Sequence, residues 1–355
     1  MTATSIASGK APALDVIAGQ SVVLHYGDVT AEYAALRSRA MLVDRSARDR
    51  LVVNGPRAAE LIAGLVTNDV QALTPGHGQY AAALTPKGKI VADVRIFARD
   101  GSLLIDAPPR AREGWQAMIK KYINPRLAPY ADVSATLRQI GIYGVASRTI
   151  VARALDLVPE TLAALQAYGH VQAGARADIL VAHVPDLALE GYELFAPAET
   201  FDTLWQLLVR SGAIAAGLAA WEIARIEAGR PEWGLDMDAT TIPQEANFDE
   251  LGAISYTKGC YVGQEVVARV HFRGHVNKQL RGLLCGETEP PPTGATLLTD
   301  AGKPVGEVRS TAISPRLGAI ALATVRREVE PGATLAVHWE GGEAQADVSA
   351  LPFPL

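Results

Sequence analysis

Hydrophobic positions in this chain change period repeatedly, and the changes divide it into short elements. Residues 21–26 read as a strand, 31–38 as a helix, and 58–65 as a second helix whose apolar face follows the turn signal Asn54-Gly55-Pro56. Strands then come in pairs. Residues 79–84 and 90–98 flank the turn Thr85-Pro86-Lys87-Gly88-Lys89, and 103–106 follow Asp100-Gly101, which predicts a three-stranded meander. A helix over 113–122 precedes strands at 133–139 and 141–145. A second cycle has a helix at 162–168, strands near 179–184 and 192–195, and helices at 200–210 and 219–228. Strands and helices segregated in this way predict α+β layers rather than a regular strand–helix alternation. After Asn277 the pattern changes to short strands at 278–284, 296–298, 306–310, 319–325 and 334–339, with close turn signals such as Pro292-Thr293-Gly294. That spacing predicts a small antiparallel β-barrel. The expected division is a flexible tail over 1–20, an α+β body of two modules over 21–276 and a barrel over 277–355.

Composition narrows the class. A chain of 355 residues exceeds one ordinary hydrophobic core, and 49% apolar against 20% charged residues is enough to bury several. The longest apolar run, residues 212–221, is about ten long, short of the ~18 that a membrane span needs. Residues 1–10 lack a basic start followed by a long apolar stretch and are expected to be a frayed tail. The two cysteines exclude a disulfide framework and four-thiolate ligation within one chain, so a reducing cytoplasm is the expected location. A net charge of −5 gives no general attraction to nucleic acid.

Chemistry concentrates in Lys258-Gly259-Cys260-Tyr261-Val262-Gly263-Gln264-Glu265, which sets one cysteine between glycines and beside a lysine. A neighbouring ammonium favours thiolate over thiol, and glycines let backbone approach a ligand. Downstream, Arg269, His271, Arg273 and His275 alternate, as on one face of a strand that either meets an anion or is simply solvated. Gly274 and the alternation argue against a helix, and with it against a zinc site on two histidines four apart. Cys285 reads as buried filler of the barrel edge.

The octapeptide resembles the signature of the YgfZ-type folate-binding proteins, relatives of the glycine-cleavage T-protein, an aminomethyltransferase. The likeness extends to Arg225-Ile226-Glu227-Ala228-Gly229-Arg230-Pro231, to Ile242-Pro243-Gln244-Glu245, to Thr67-Asn68-Asp69 and to Pro86-Lys87-Gly88-Lys89-Ile90. It implies a folate-binding body of interleaved α+β modules, a C-terminal barrel and tetrahydrofolate as cofactor. Glu193 in Gly191-Tyr192-Glu193 is then the pterin-binding carboxylate with Tyr192 beside it, Arg225 a candidate for the anionic folate tail, and Trp221 and Gln264 further candidates for the folate site, although Trp221 and Trp233 either line a pocket or simply fill core. T-proteins carry an Asp-Asp pair where this chain reads Ala92-Asp93, which leaves Asp93 alone for acid–base work. The YgfZ likeness implies iron–sulfur client or assembly proteins as partners, with Cys260 as the functional thiol and Lys258 supporting it. The alternative is a folate-dependent aminomethyltransferase or demethylase acting on a small amine. A tRNA-modifying folate module would call for a fused G-x-x-x-x-G-K-[ST] loop, which the sequence lacks.

Overall fold

The computed structural model describes residues 12–175, 178–286 and 289–354. Its strands form two large antiparallel-rich sheets, a closed six-stranded barrel and a small hairpin, so the expected α+β body and barrel are both present. The body is interleaved. Strand Met41–Asp44 belongs to one sheet, the next strand, Asp49–Asn54, belongs to the other, and the chain rejoins the first sheet only at Leu137–Tyr143.

The five-stranded sheet runs in the order Gly78–Leu84, Ile90–Arg99, Ser102–Ala107, Asp49–Asn54, Tyr130–Asp132. The six-stranded sheet runs His170–Ala173, Ile179–His183, Gly191–Pro197, Leu137–Tyr143, Met41–Asp44, Ile214–Ala215, with the last pair parallel. Side chains alternate across each sheet, so each has two buried faces. Ala81, Ala83, Val94 and Ile96 pack under the helices Ala58–Ala63 and Arg112–Tyr122. Ile140, Ile142, Tyr192 and Leu194 do the same beneath Ser147–Leu155 and Phe201–Arg210. Residues of the opposite parity, Tyr80, Phe97 and Leu104 from one sheet and Leu180 and Phe195 from the other, share a third cluster, so the sheets pack on each other. The rings of Phe97 and Phe195 meet edge-on, with centroids 5.3 Å apart. The barrel docks on helix Leu218–Glu227 through Ile226, Leu280, Ile320, Leu322 and Phe353.

Three expectations are corrected. Residues 1–11 lie outside the described residues, but the rest of the expected tail is ordered: Ala13–Ile17 pairs with Gln20–His25 across Ala18-Gly19, both at positive φ as a tight hairpin turn requires. The apolar residues Leu14 and Val16 face outward, so the usual inward pattern is missing. The second correction is Gln264–Arg273, which is a helix rather than a strand. Its valines favour β structure locally, but Val267 is buried in the inter-sheet cluster and Glu265 pairs with Arg269 one turn on. Gly274 ends the helix before His275, while His271 stacks on Tyr256 at 3.6 Å. Third, the helix expected at 162–168 forms earlier, at Pro159–Ala163, and the two strands expected over 133–145 are the single strand Leu137–Tyr143. Among the described residues no helix is long and apolar enough to cross a membrane, and no group of three His, Cys, Asp or Glu side chains is placed to hold a metal ion.

Candidate functional site

Strand parity gathers a set of charges between the sheets. Asp93 and Arg95 lie on Ile90–Arg99, Asp106 on Ser102–Ala107 and Glu193 on Gly191–Pro197, all buried. Register places Arg95 directly opposite Asp106, and Asp93 opposite Ala82. The short crossing between the two sheets, Asp44 to Asp49, adds Arg45 and Arg48. Arg95 is the hub. Its Nε donates to Asp106 at 2.6 Å, and Nη1 reaches Asp186 at 3.1 Å and Glu193 Oε1 at 2.7 Å. Arg48 donates to Asp106 at 2.8 Å, and Arg230 lies 3.3 Å from Asp186. Arg48, Arg95 and Arg230 thus face Asp106, Asp186 and Glu193, and the charges of these six balance.

Asp93 is a further acid without a direct cationic partner. Tyr80 donates to its Oδ2 at 3.0 Å, while the buried Oδ1 has no partner among the described residues. Burial, against the opposing field of Arg48 and reinforced by Glu232, raises its pKa from 3.8 to about 6. A carboxyl poised near neutrality with one oxygen free is equipped to take or give a proton. It lines a recess with room for about one water, walled also by Tyr80, Arg95, Trp221, Arg230 and Glu232. An adjoining cavity of about 200 Å³ shares Arg48 and Glu232 with that recess and extends to Asp15, Ile17 and Leu24 of the N-terminal hairpin and to Arg45 and Arg110. This volume suits a ring-sized group rather than a whole drug-sized ligand, for which ~300–1,000 Å³ is usual.

The residues singled out in the sequence fall in different places. Glu193 reaches the inter-sheet layer, but its oxygens already accept from Arg95, from Tyr143 at 2.6 Å and from Gln139, and against the cost of burial the positive charges of Arg95, Arg45 and Arg48 hold its carboxyl well below the usual range. Its role in the structure is to anchor Arg95. Tyr192, one residue earlier, necessarily points the other way, into the helix-covered core, where its hydroxyl donates to Glu190 at 2.8 Å. It does not share a face with Glu193. Arg225 is buried, and its five donors are all used: on Glu222, Asp236, the Arg230 carbonyl and Ser310 of the barrel. No donor is left for an anionic tail. Trp221 is buried and lines the recess, whereas Trp233 donates to the Ile90 carbonyl at 3.4 Å.

The octapeptide forms a surface turn. Lys258 points inward and donates to the carbonyls of Ala63 at 2.5 Å and Val66 at 2.7 Å, tying the turn to the end of helix Ala58–Ala63, and burial lowers its pKa to about 8. Gln264 accepts from the Tyr261 amide at 3.1 Å and closes the turn. Gly88 sits so close to the following helix that a Cβ there would lie 2.7 Å from Val266. Cys260 is exposed and lines neither the recess nor the adjoining cavity. Cys285 is buried in the barrel, where burial pushes its thiol up to about 11. Iodoacetamide near neutral pH should therefore label Cys260 well before Cys285, and peptide mass spectrometry over a time course reads the order. Equal rates would contradict the placement of the two thiols.

Comparison with known proteins agrees with this architecture. The GCVT N-terminal domain matches residues 18–254, and the glycine cleavage T-protein C-terminal barrel domain matches residues 278–354. The chain belongs to the glycine-cleavage T-protein family. An aminomethyltransferase of Nostoc sp. is 28% identical over 346 residues, 94% of this chain and 90% of that protein. One of Bordetella petrii is 30% identical over 345 residues, 94% of this chain and 90% of that protein. The crystal structure of the glycine cleavage system aminomethyltransferase T from Bartonella henselae matches with a TM-score of 0.87 at 21% identity, over 97% of this chain and 94% of that one, and shows the fold. Aminomethyltransferases of this family use tetrahydrofolate as one-carbon acceptor. Within this T-protein-family body, reading the sequence missed Arg45, Arg48, Arg95, Asp186 and Arg230. Arg95 carried a signal, since it sits two positions from Asp93 at an inward position of a mostly apolar strand.

Proposed function

We propose that this protein binds a reduced folate between its two sheets and takes part in one-carbon transfer from a small amine, with Asp93 moving the proton. The observation that carries the reading is the free, buried Oδ1 of Asp93 in the recess, with a pKa near 6. A folate would bring the nitrogen that accepts the one-carbon unit. Asp93 holds the proton that leaves that nitrogen and returns it to the departing amine. Tyr80 fixes its other oxygen, and the apolar layer of Phe97, Leu104 and Phe195 keeps bulk water away. The names of the relatives support the same chemistry. To test it, the protein is incubated with tetrahydrofolate and an aminomethylated lipoyl carrier, whose carbon is already at the methylene oxidation level, and methylenetetrahydrofolate is followed by mass spectrometry. Formation of the product supports transfer, and no product counts against it.

The exposed Cys260 favours a second reading, a YgfZ-type role in assembling or repairing iron–sulfur enzymes. Its support is the octapeptide, which transfer chemistry does not use, together with Ala92 in place of the first acid of a T-protein Asp-Asp pair. On this reading Cys260→Ser should fold and bind folate but fail to restore iron–sulfur enzyme activity in cells lacking the native protein. Full restoration by the serine variant would leave the octapeptide as a structural turn.

A further inference from the structure

Arg45 stands apart from the balanced cluster. It is 6% exposed, yet neither an ion pair nor a side-chain hydrogen bond to another described residue engages its guanidinium, and its buried Nε lacks a partner. Its guanidinium lies over the ring of Trp221, with the guanidinium carbon 3.7 Å from the ring centroid. The acids that share its cavity are committed elsewhere. Asp44 accepts from Arg138 at 2.8 Å, Glu222 from Arg225 at 2.7 Å, and Glu232 pairs with Arg110 at 3.4 Å. Asp15 is at the exposed rim, bonded to the Val16 amide. The field of Arg45 reaches Glu193 and Tyr143, but it contacts neither. A buried cation without a counter-ion is costly unless something else supplies one.

From this we infer that Arg45, held flat on Trp221, is the anion receptor of the 200 Å³ cavity and takes a carboxylate of the bound ligand. A planar guanidinium with its nitrogens free matches a carboxylate in two-point fashion, and stacking fixes its plane beforehand. In part this rests on the folate reading, because the carboxylate has two sources: the glutamate of the folate, or the acid group of an amino-acid donor. Arg225, which the sequence offers for the anionic tail, is saturated, whereas Arg45 is not.

The test is Arg45→Met, which keeps an apolar stem against Trp221, with Arg45→Lys as the partial rescue. Calorimetric titration uses four probes: tetrahydrofolate, tetrahydropterin lacking the glutamate, p-aminobenzoylglutamate and N-methylglycine. Loss of about 10- to 100-fold in affinity for carboxylate-bearing probes, with tetrahydropterin unchanged, is expected from removing a charged hydrogen-bond donor. Loss confined to the glutamate-bearing probes assigns the folate tail, and loss confined to N-methylglycine assigns the donor. Binding of carboxylates without tetrahydropterin would leave Arg45 in place and remove the folate reading. Equal affinities in wild type and Arg45→Met, or no carboxylate binding by the wild type, would overturn the inference. No described carboxylate contacts Arg45, so the methionine variant should fold, and its unchanged affinity for tetrahydropterin reads that directly.

Discussion

Asp93→Asn should cut one-carbon transfer by about 10²- to 10⁴-fold, the usual contribution of a positioned acid–base group, while making the folded protein more stable at pH 7. The two effects have one cause. Burial raises the Asp93 pKa from 3.8 to about 6, so the folded state binds the proton more tightly than the unfolded chain. The stabilisation this gives is complete below pH 3.8 and is lost as pH rises through about 6. At pH 7 the ionised carboxylate therefore weighs against folding, by at most ~3 kcal/mol. Asparagine keeps the shape without the charge, so a gain of ~1–3 kcal/mol is expected at pH 7 and little at pH 4. Urea unfolding at both pH values, alongside the transfer rate, reads both. A variant with wild-type turnover would remove Asp93 from the chemistry, and one less stable at pH 7 would show that the carboxylate has a partner there.

Arg95→Met should have the opposite sign, destabilising the protein by ~3–5 kcal/mol, the cost of leaving a buried ion pair half empty. Against a total stability of ~5–15 kcal/mol that is a severe loss. Asp106 keeps Arg48 and Asp186 keeps Arg230, but Glu193 retains only the neutral donors Tyr143 and Gln139 in direct contact. The Arg95→Met/Glu193→Gln double variant should recover part of the loss, because it removes the stranded charge. Denaturant midpoints of the two variants decide this. A single variant within 1 kcal/mol of wild type, or a double variant no better than the single, would show that the cluster is not one unit.

The meander and the barrel strands were legible as short apolar-rich runs between turn signals, as in Gly78–Leu84, and most helices by a helical period, as in Phe201–Arg210. Strand Gly342–Ser349 was missed because glycine and polar residues dilute its pattern, and Met41–Asp44 because three apolar residues before an acid are too few to show a period. Helix Gln264–Arg273 was hidden by the alternation of Arg269, His271 and Arg273 and by Gly274, and its packing, with Val267 in the inter-sheet cluster and Val266 against Gly88, decides it. At the site, Asp93, offered for acid–base work, and Trp221, offered as pocket or core, both line the recess. Tyr192 was not, since two neighbours on a strand cannot face one ligand. Arg225 and Arg45 look alike as isolated arginines. What separates them is the set of acids and carbonyls each meets, and those come from segments far away in sequence.

The interleaving of the body has a consequence for synthesis on the ribosome. The five-stranded sheet draws on the continuous stretch from Asp49 to Asp132 and can pair as it emerges. Strand Met41–Asp44 leaves the exit tunnel first of the pair yet must wait for Leu137–Tyr143 before it has a neighbour in its sheet, and the sheet is not complete until Ile214–Ala215. Arg95 and Asp106 are thus brought together early, while Glu193 and Asp186 arrive some ninety residues later. Nascent chains halted before that point carry an inter-sheet layer short of two of the three acids that pair with its arginines, and long-range closure of this kind is the step at which a folding intermediate is most exposed to chaperones.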